Sequence, residues 1–199
     1  MSRQKVEVRR EEILDAAVEE VQRLGFASTR VTDVAAALGV SSGLIFYHFG
    51  TKEKLLAAAL EHAVERDLAR LERTVAKAKD PLDAVRRVLA LYSPQGNAPG
   101  WTIWVDAWAE SLRSTDMRTA SRDLDLRWKD VLAAQIRQGV SDGLFTCPDP
   151  DGSAWRLSSL LDGLAVQVLV HRTLTKRQLA EWVRIAAAAE LGITPSALS

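Results

Sequence analysis

The 199-residue sequence predicts an all-α fold, in which a small N-terminal unit of three helices is followed by a larger C-terminal helical bundle. Apolar residues recur with helical period in almost every segment, and no stretch sustains the alternation typical of a strand. Clusters of glycine, proline and small polar residues separate these segments. Hydrophobic residues make up 47% of the chain, which is enough to build a core.

The N-terminal segments end at recognisable turn residues. Apolar residues at helical spacing predict a first helix: Ile13, Ala16, Ala17, Val21 and Leu24. Gly25 is expected to end this helix, because a glycine adopts the left-handed conformation that commonly follows a helix. Short helices are predicted over 31–38 and 42–49, and a long one over 52–79.

The remaining segments are separated by two loops. Asp80-Pro81 is expected to begin a helix, and "SPQGNAPG" at 93–100 is the clearest loop. Two helices are predicted over 101–113 and 116–139, before the turn-rich "CPDPDG" at 147–152. The last two helices are predicted over 153–172 and 176–191.

Charge and cysteine content limit the class of protein. Lys and Arg number 26, as do Asp and Glu, so nucleic-acid binding would require a local basic surface. The lone Cys147 excludes an intrachain disulfide and is typical of a reducing compartment. No apolar run reaches the length of a membrane span, and the charged N-terminus is unlike a signal peptide. We expect a soluble cytoplasmic protein.

The segment "VTDVAAALGVSSGLIFYHF" (31–49) has the spacing of a helix-turn-helix. Ala35 is small where two helices cross, Gly39 suits the positive φ of the turn, and Ile45 points into the shared core. Ile45, Phe46 and Phe49 are expected to form the core face. The second helix of such a unit enters the major groove of DNA. A glycine in its first turn, as in "SSGL", lets the backbone approach the DNA closely.

The longer stretch "GFASTRVTDVAAALGVSSGLIFYHFGTKEKLL" (25–56) resembles the DNA-binding domain of the TetR/AcrR family of one-component repressors. The resemblance implies phosphate contacts by Tyr47, His48 and Lys52. It also implies that a recognition face over 42–44 contacts bases. Where many relatives carry a long basic side chain, this sequence has Thr32. The predicted DNA-contacting residues are Thr29, Arg30, Thr32, Ser41, Ser42, Gly43, Leu44, Tyr47, His48 and Lys52.

The domains predicted from this resemblance are a DNA-binding domain over 1–56 and a ligand-binding and dimerisation domain over 57–199. Residues 108–145 resemble, more weakly, the ligand-binding domain of BetI-type members. The basic N-terminus, from Arg3 to Arg10, is either a minor-groove arm or a solvated terminus. The partners implied are a double-stranded pseudo-palindromic operator, a second copy of the chain and a small-molecule effector.

Four tryptophans are the candidates for lining an effector site. Trp101, Trp104 and Trp108 share one helical face, and Trp128 lies in the next helix. They either fill the core or line a pocket for an apolar or aromatic effector, with His171 as a polar group beside them. Asp106 and Glu110 are the other candidate polar groups, but Asp106 points sideways from this face and Glu110 is little better placed.

Apolar stripes on the last two helices are expected to form the dimer interface, as the resemblance implies, or to pack within the chain. The predicted residues are Leu157, Leu160, Leu161, Leu164, Val168, Leu179, Trp182, Val183 and Ala186. No catalytic or metal-binding constellation is visible, so we expect neither an enzyme nor a cofactor. The function predicted is a homodimeric repressor released by its effector. The alternatives are a ligand-independent regulator, an activator or, remotely, a small-molecule carrier or enzyme.

Overall fold

The structure, a computed structural model, describes residues 3–94 and 99–198. Within those ranges the chain is helical, with nine α-helices and a short 3₁₀ helix at Pro195–Leu198. The α-helices are α1 (Arg3–Leu24), α2 (Val31–Leu38), α3 (Ser42–Phe49), α4 (Lys52–Ala76), α5 (Pro81–Tyr92), α6 (Pro99–Ser111), α7 (Thr115–Ser141), α8 (Pro150–Leu169) and α9 (Lys176–Leu191). The prediction of an all-α fold is therefore confirmed. Of the predicted loop over 93–100, residues 95–98 lie outside the described residues, and 99–100 already belong to α6.

The chain divides into two compact units. The first contains residues 1–67 and 99–124, and the second contains 68–98 and 125–199. These units differ from the predicted domains, because α6 and the first part of α7 belong with the N-terminal helices. Helices α4 and α7 each contribute residues to both units.

The first unit is organised around α1, α2 and α3. The α2 and α3 axes turn by 115° at a short break, as in a helix-turn-helix. Gly39 makes that break with φ of 65°, where a side chain would be strained. The core between the three helices includes Ile13, Val34, Ile45 and Phe49, and burying each such side chain contributes about 1.5–3 kcal/mol.

Phe46 does not belong to this core, contrary to the prediction. Ile45 and Phe49 are four residues apart and share the buried face of α3. Phe46 is one residue further round the helix, and 45% of it is exposed.

The second unit is built around the packing of α8 on α9. Capping residues begin both helices: Asp149 accepts from the Gly152 amide, and Thr175 accepts from the Gln178 amide. Glu190 of α9 accepts hydrogen bonds from Arg156 and from the Ser153 hydroxyl of α8. These polar contacts hold the two helices together at one end of their apolar contact.

Most residues of the predicted dimer interface lie in this core. Leu157, Leu161, Leu164, Leu179 and Val183 are buried within the protomer, and Val168 and Ala186 are half-buried. The outer faces of α8 and α9 carry other side chains than the buried ones, because successive side chains of a helix point in directions about 100° apart. The large apolar residues exposed on α8 and α9 are Trp155, Leu160, Trp182 and Ile185, with Val170 just beyond α8.

No single helix in the described ranges is long and apolar enough to cross a membrane. The α2–α3 pair passes on length and composition together, but it is bent by 115° and its apolar residues form the core described above.

Candidate DNA-binding surface and effector site

The N-terminus of α3 carries the predicted base-contacting residues of the DNA surface. Ser41 begins the helix, and its hydroxyl accepts from the Leu44 amide at 3.3 Å. A Cβ atom added at Gly43 would meet only the Ser41 Oγ, at 3.8 Å. Because none of the described residues requires a glycine at this position, the bare backbone is explained best by the close approach of a partner from outside the protein.

Aromatic and basic groups follow one turn later. Tyr47 is 79% exposed, and its ring meets His48 edge to face at 5.4 Å. The half-buried Lys52 begins α4 and donates from Nζ to the Ala27 carbonyl at 3.3 Å. These groups lie on exposed or partly exposed positions, as phosphate contacts require.

Thr29 is a correction to the predicted contacts. Its side chain is 1% exposed, and its hydroxyl donates to the Gly25 carbonyl at 2.7 Å. A short hydroxyl that satisfies a carbonyl at the end of α1 cannot also reach DNA. Arg30 and Thr32, by contrast, are exposed at the beginning of α2.

The N-terminal basic residues are only partly described. The side chains of Arg3 and Lys5 lie outside the described residues. The Arg10 guanidinium lies 5.1 Å from the centre of the Phe49 ring, in a cation–π contact that ties α1 to α3.

The predicted tryptophan pocket is divided between the two units. In the first unit, the half-buried Trp108 ring contacts Trp101 at 6.1 Å and Trp104 at 6.2 Å between centroids. The buried face of α6 is formed instead by Ile103 and Ala107. The three tryptophans therefore form a mutually packed cluster at the edge of the core, while Trp128 belongs to the second unit.

Trp128 lies in a polar and aromatic cluster of the second unit. The Tyr92 and Trp128 rings meet edge to face at 5.1 Å. The Tyr92 hydroxyl donates to Asp162 Oδ1 at 3.0 Å. The Trp128 indole N–H is buried and has no acceptor among the described residues. Helices α5, α7 and α8 thus bring two aromatic rings, a carboxylate and an unused donor together.

One ion pair and one separate carboxylate belong to the surroundings of this cluster. Lys129 is buried, pairs with Asp125 one turn before it, and lies 4.6 Å from the centre of the Trp155 ring. Asp162 forms no ion pair with another described residue, although Lys129 acts on it from a greater distance, and burial raises its pKa from 3.8 to about 6. The same burial, with the nearby carboxylates, raises the pKa of Tyr92. An ionised Asp162 is therefore costly here, and a nearby cation would stabilise it.

Sequence reasoning missed Tyr92 and Asp162. They lie seventy residues apart, in helices where neither stands out. An acid between Leu161 and Leu164 on an otherwise apolar stripe was the available signal. His171 is a further correction, because it lies beyond the end of α8 and is exposed.

Comparisons with known proteins place similar regulators along both parts of the chain. Residues 13–59 match the N-terminal profile of bacterial regulatory proteins of the tetR family, and residues 81–192 match the C-terminal profile of BetI-type transcriptional repressors. The HTH-type transcriptional regulator BetI of Burkholderia ambifaria is 28% identical over 162 residues, which are 79% of this chain and 80% of that protein.

Solved structures are similar over most of the chain. A protein from Saccharomonospora viridis, described as a transcriptional regulator and crystallised in complex with choline, is 31% identical with a TM-score of 0.78, and the match covers 89% of this chain and 94% of that one. FadR from Bacillus subtilis, in complex with stearoyl-CoA, shares the fold at 17% identity with a TM-score of 0.71 over 92% and 99% of the two chains. This chain therefore belongs to the TetR family of DNA-binding transcriptional regulators, with a C-terminal region of the BetI type.

Proposed function

We propose that this protein is a homodimeric cytoplasmic repressor that a small organic cation releases from its operator. The observation that carries the proposal is the grouping of Tyr92, Trp128 and Asp162 in the second unit. A cationic effector replaces the apolar or aromatic effector that the tryptophan spacing predicts, because a buried carboxylate disfavours a purely apolar ligand.

The positive charge of the effector follows from Asp162. Its raised pKa reflects the unfavourable burial of its charge, and a bound cation would offset that cost. The electron-rich faces of Tyr92 and Trp128 suit an ammonium group, especially a methylated one that has no N–H to donate. The Saccharomonospora viridis relative, which was crystallised with choline, supports this class of ligand.

A second requirement follows from Trp128. An indole N–H that is buried without an acceptor costs about 1–3 kcal/mol, which a ligand oxygen could recover. The effector is therefore a cation that also carries a hydroxyl or carbonyl oxygen. Lys129 pairs with Asp125 and acts on Asp162 only from a greater distance, so the site is suited to a single further positive charge beside Asp162.

The surface proposed to meet a second copy is the exposed apolar face of α8 and α9. Trp182 and Ile185 are 45% and 47% exposed, and Leu160, in the middle of α8, is 36% exposed. Large apolar side chains grouped in this way are typical of a protein interface. A two-fold dimer would present two α3 helices to successive major grooves of a pseudo-palindrome.

The test is a titration of the protein against the DNA fragment upstream of its own gene, followed by fluorescence anisotropy. Choline chloride should release the protein from this fragment, while KCl at the same ionic strength should not. Two analogues of the same shape separate the two requirements. The neutral 3,3-dimethylbutan-1-ol lacks the charge, and propyltrimethylammonium lacks the oxygen. We expect the first analogue to fail and the second to act only at higher concentration.

The outcomes separate the alternatives. Binding to DNA that no cation affects would favour a ligand-independent regulator and would refute the cation site. Release by the neutral alcohol as readily as by choline would favour the apolar effector instead. Increased transcription from the bound promoter would indicate an activator.

A further inference from the structure

Asp106, on α6, is bonded to the turn that joins α1 to α2. Its Oδ2 accepts a hydrogen bond from the Phe26 amide at 2.6 Å, and the Phe26 side chain is buried. Gly25 precedes Phe26 with φ of 81°, and a Cβ atom there would lie 3.1 Å from the same carboxylate oxygen. The glycine therefore allows the carboxylate to approach the turn this closely.

This turn also supports groups of the proposed DNA surface. Lys52 donates to the carbonyl of Ala27, directly after Phe26. Thr29 is bonded to Gly25 through both its amide, at 3.1 Å, and its hydroxyl. Arg30 follows at the N-cap of α2, and its amide donates to Asp33 at 2.9 Å. The position of the turn thus affects where Arg30 and Lys52 present their charges.

We propose that Asp106 is a positioning residue for DNA binding, which fixes the 25–29 turn without touching DNA itself. The inference rests on the proposed phosphate contacts of Arg30 and Lys52. Its physical basis is that α6 packs on α1 and belongs to the same compact unit as the DNA-binding helices. A residue more than fifty positions beyond the helix-turn-helix thereby contributes to operator affinity.

The sign of the effect distinguishes positioning from electrostatics. Removing a negative charge from a DNA-binding unit by itself raises affinity for DNA. Asp106→Asn removes the charge and keeps an acceptor oxygen in the same shape, whereas Asp106→Ala removes both. Positioning predicts operator affinity at or above wild type for the Asn variant, which keeps the acceptor, and about tenfold lower affinity for the Ala variant, the loss expected for one hydrogen bond.

Two further variants complete the design. Glu110→Ala removes an acid from the same helix that forms no hydrogen bond to the turn, so it should leave affinity equal or slightly higher. Asp106→Glu keeps the charge and moves the acceptor by one methylene, so it should lower affinity. Circular dichroism and thermal unfolding establish that each variant is folded. If Asp106→Ala does not fold, Asp106→Glu decides the question.

The measurement is anisotropy on the upstream DNA fragment over a range of KCl concentrations. Folded Asp106→Ala and Asp106→Glu proteins with wild-type affinity or higher would overturn the positioning role. Lys52→Ala tests the proposed contacts separately, because losing one phosphate contact makes the salt dependence shallower by about one unit. An unchanged slope in Lys52→Ala would refute the proposed Lys52 contact, whatever the Asp106 variants do.

Discussion

Replacing Asp162 by Asn should weaken binding of a cationic effector and make the free protein more stable. The burial that raises its pKa from 3.8 to about 6 amounts to about two units, or about 3 kcal/mol at 1.36 kcal/mol per unit. A bound cation that brings the pKa of Asp162 back towards 3.8 would recover an amount of this order through the carboxylate. We therefore expect choline to bind about 10- to 100-fold more weakly, a loss of about 1–3 kcal/mol.

The same charge predicts a pH dependence with a definite sign. Below its pKa of about 6 the free Asp162 is protonated, and a neutral acid does not attract a cation. Choline affinity should be constant above about pH 7 and about tenfold weaker at pH 5, where about a tenth of the free protein is ionised. Choline is a quaternary ammonium and does not titrate, so the change belongs to the protein.

The stability of the effector-free protein should change with pH in the opposite direction to its affinity for choline. A carboxylate whose folded pKa is raised binds more protons when folded, so its contribution to stability falls as pH rises from about 4 to 6 and stays low above. Asp162→Asn removes this cost and still offers an oxygen to the Tyr92 hydroxyl. At pH 7.5 without effector, the variant should unfold at a higher temperature than the wild type.

Isothermal titration calorimetry with choline at pH 7.5 and pH 5 measures the first two effects, and thermal unfolding measures the third. Asp130→Asn, an exposed position on α7, is the matched control for the loss of one carboxylate. If Asp162→Asn binds choline as the wild type does, or retains the same pH dependence, Asp162 is not the counter-ion of the effector.

Three other outcomes are expected. Ser42→Ala should change preference among operator variants by about 1–3 kcal/mol at one position per half-site, as measured by competition binding, whereas Lys52→Ala should weaken binding to all sequences alike. Ile185→Asp should produce monomers in sedimentation velocity with much weaker operator binding, because it places a charge in the proposed interface; a dimer that persists would move the interface elsewhere. Trp108→Leu should lower the free energy of unfolding by about 0.5–1.5 kcal/mol more than Trp104→Leu does. The reason is that the Trp108 ring contacts the rings of both Trp101 and Trp104, whereas Trp104 contacts the Trp108 ring. Equal losses in urea denaturation would contradict this packing.

Helix boundaries that depend on local signals could be predicted from the sequence. The predicted ranges 31–38, 42–49 and 176–191 agree with the observed α2, α3 and α9. Each is bounded by residues that act on neighbouring backbone groups, such as Ser41 on the Leu44 amide and Gly39 in the left-handed region. The observed α8 begins earlier than predicted, because Asp149 caps a helix that starts at Pro150.

The orientation of single side chains was less predictable. Thr29 and Phe46 were assigned to the surface and the core, and the structure reverses both. Helical periodicity assigns side chains to the buried face of a helix only to within about one residue, because neighbouring side chains point in directions about 100° apart. The same uncertainty placed Leu161 in the dimer interface rather than in the core of its own protomer.

The sequence by itself determined the helix-turn-helix and the exposed positions of Tyr47 and Arg30, because that unit is built from residues close together in the chain. Only the tertiary structure brought Asp162 to Tyr92, seventy residues away, and Asp106 to the Phe26 amide, eighty residues away. Hydrogen bonds between such distant groups depend on how whole helices pack, and local periodicity carries no information about them. The chemistry of the proposed effector site therefore became visible only after α5, α7 and α8 were placed together.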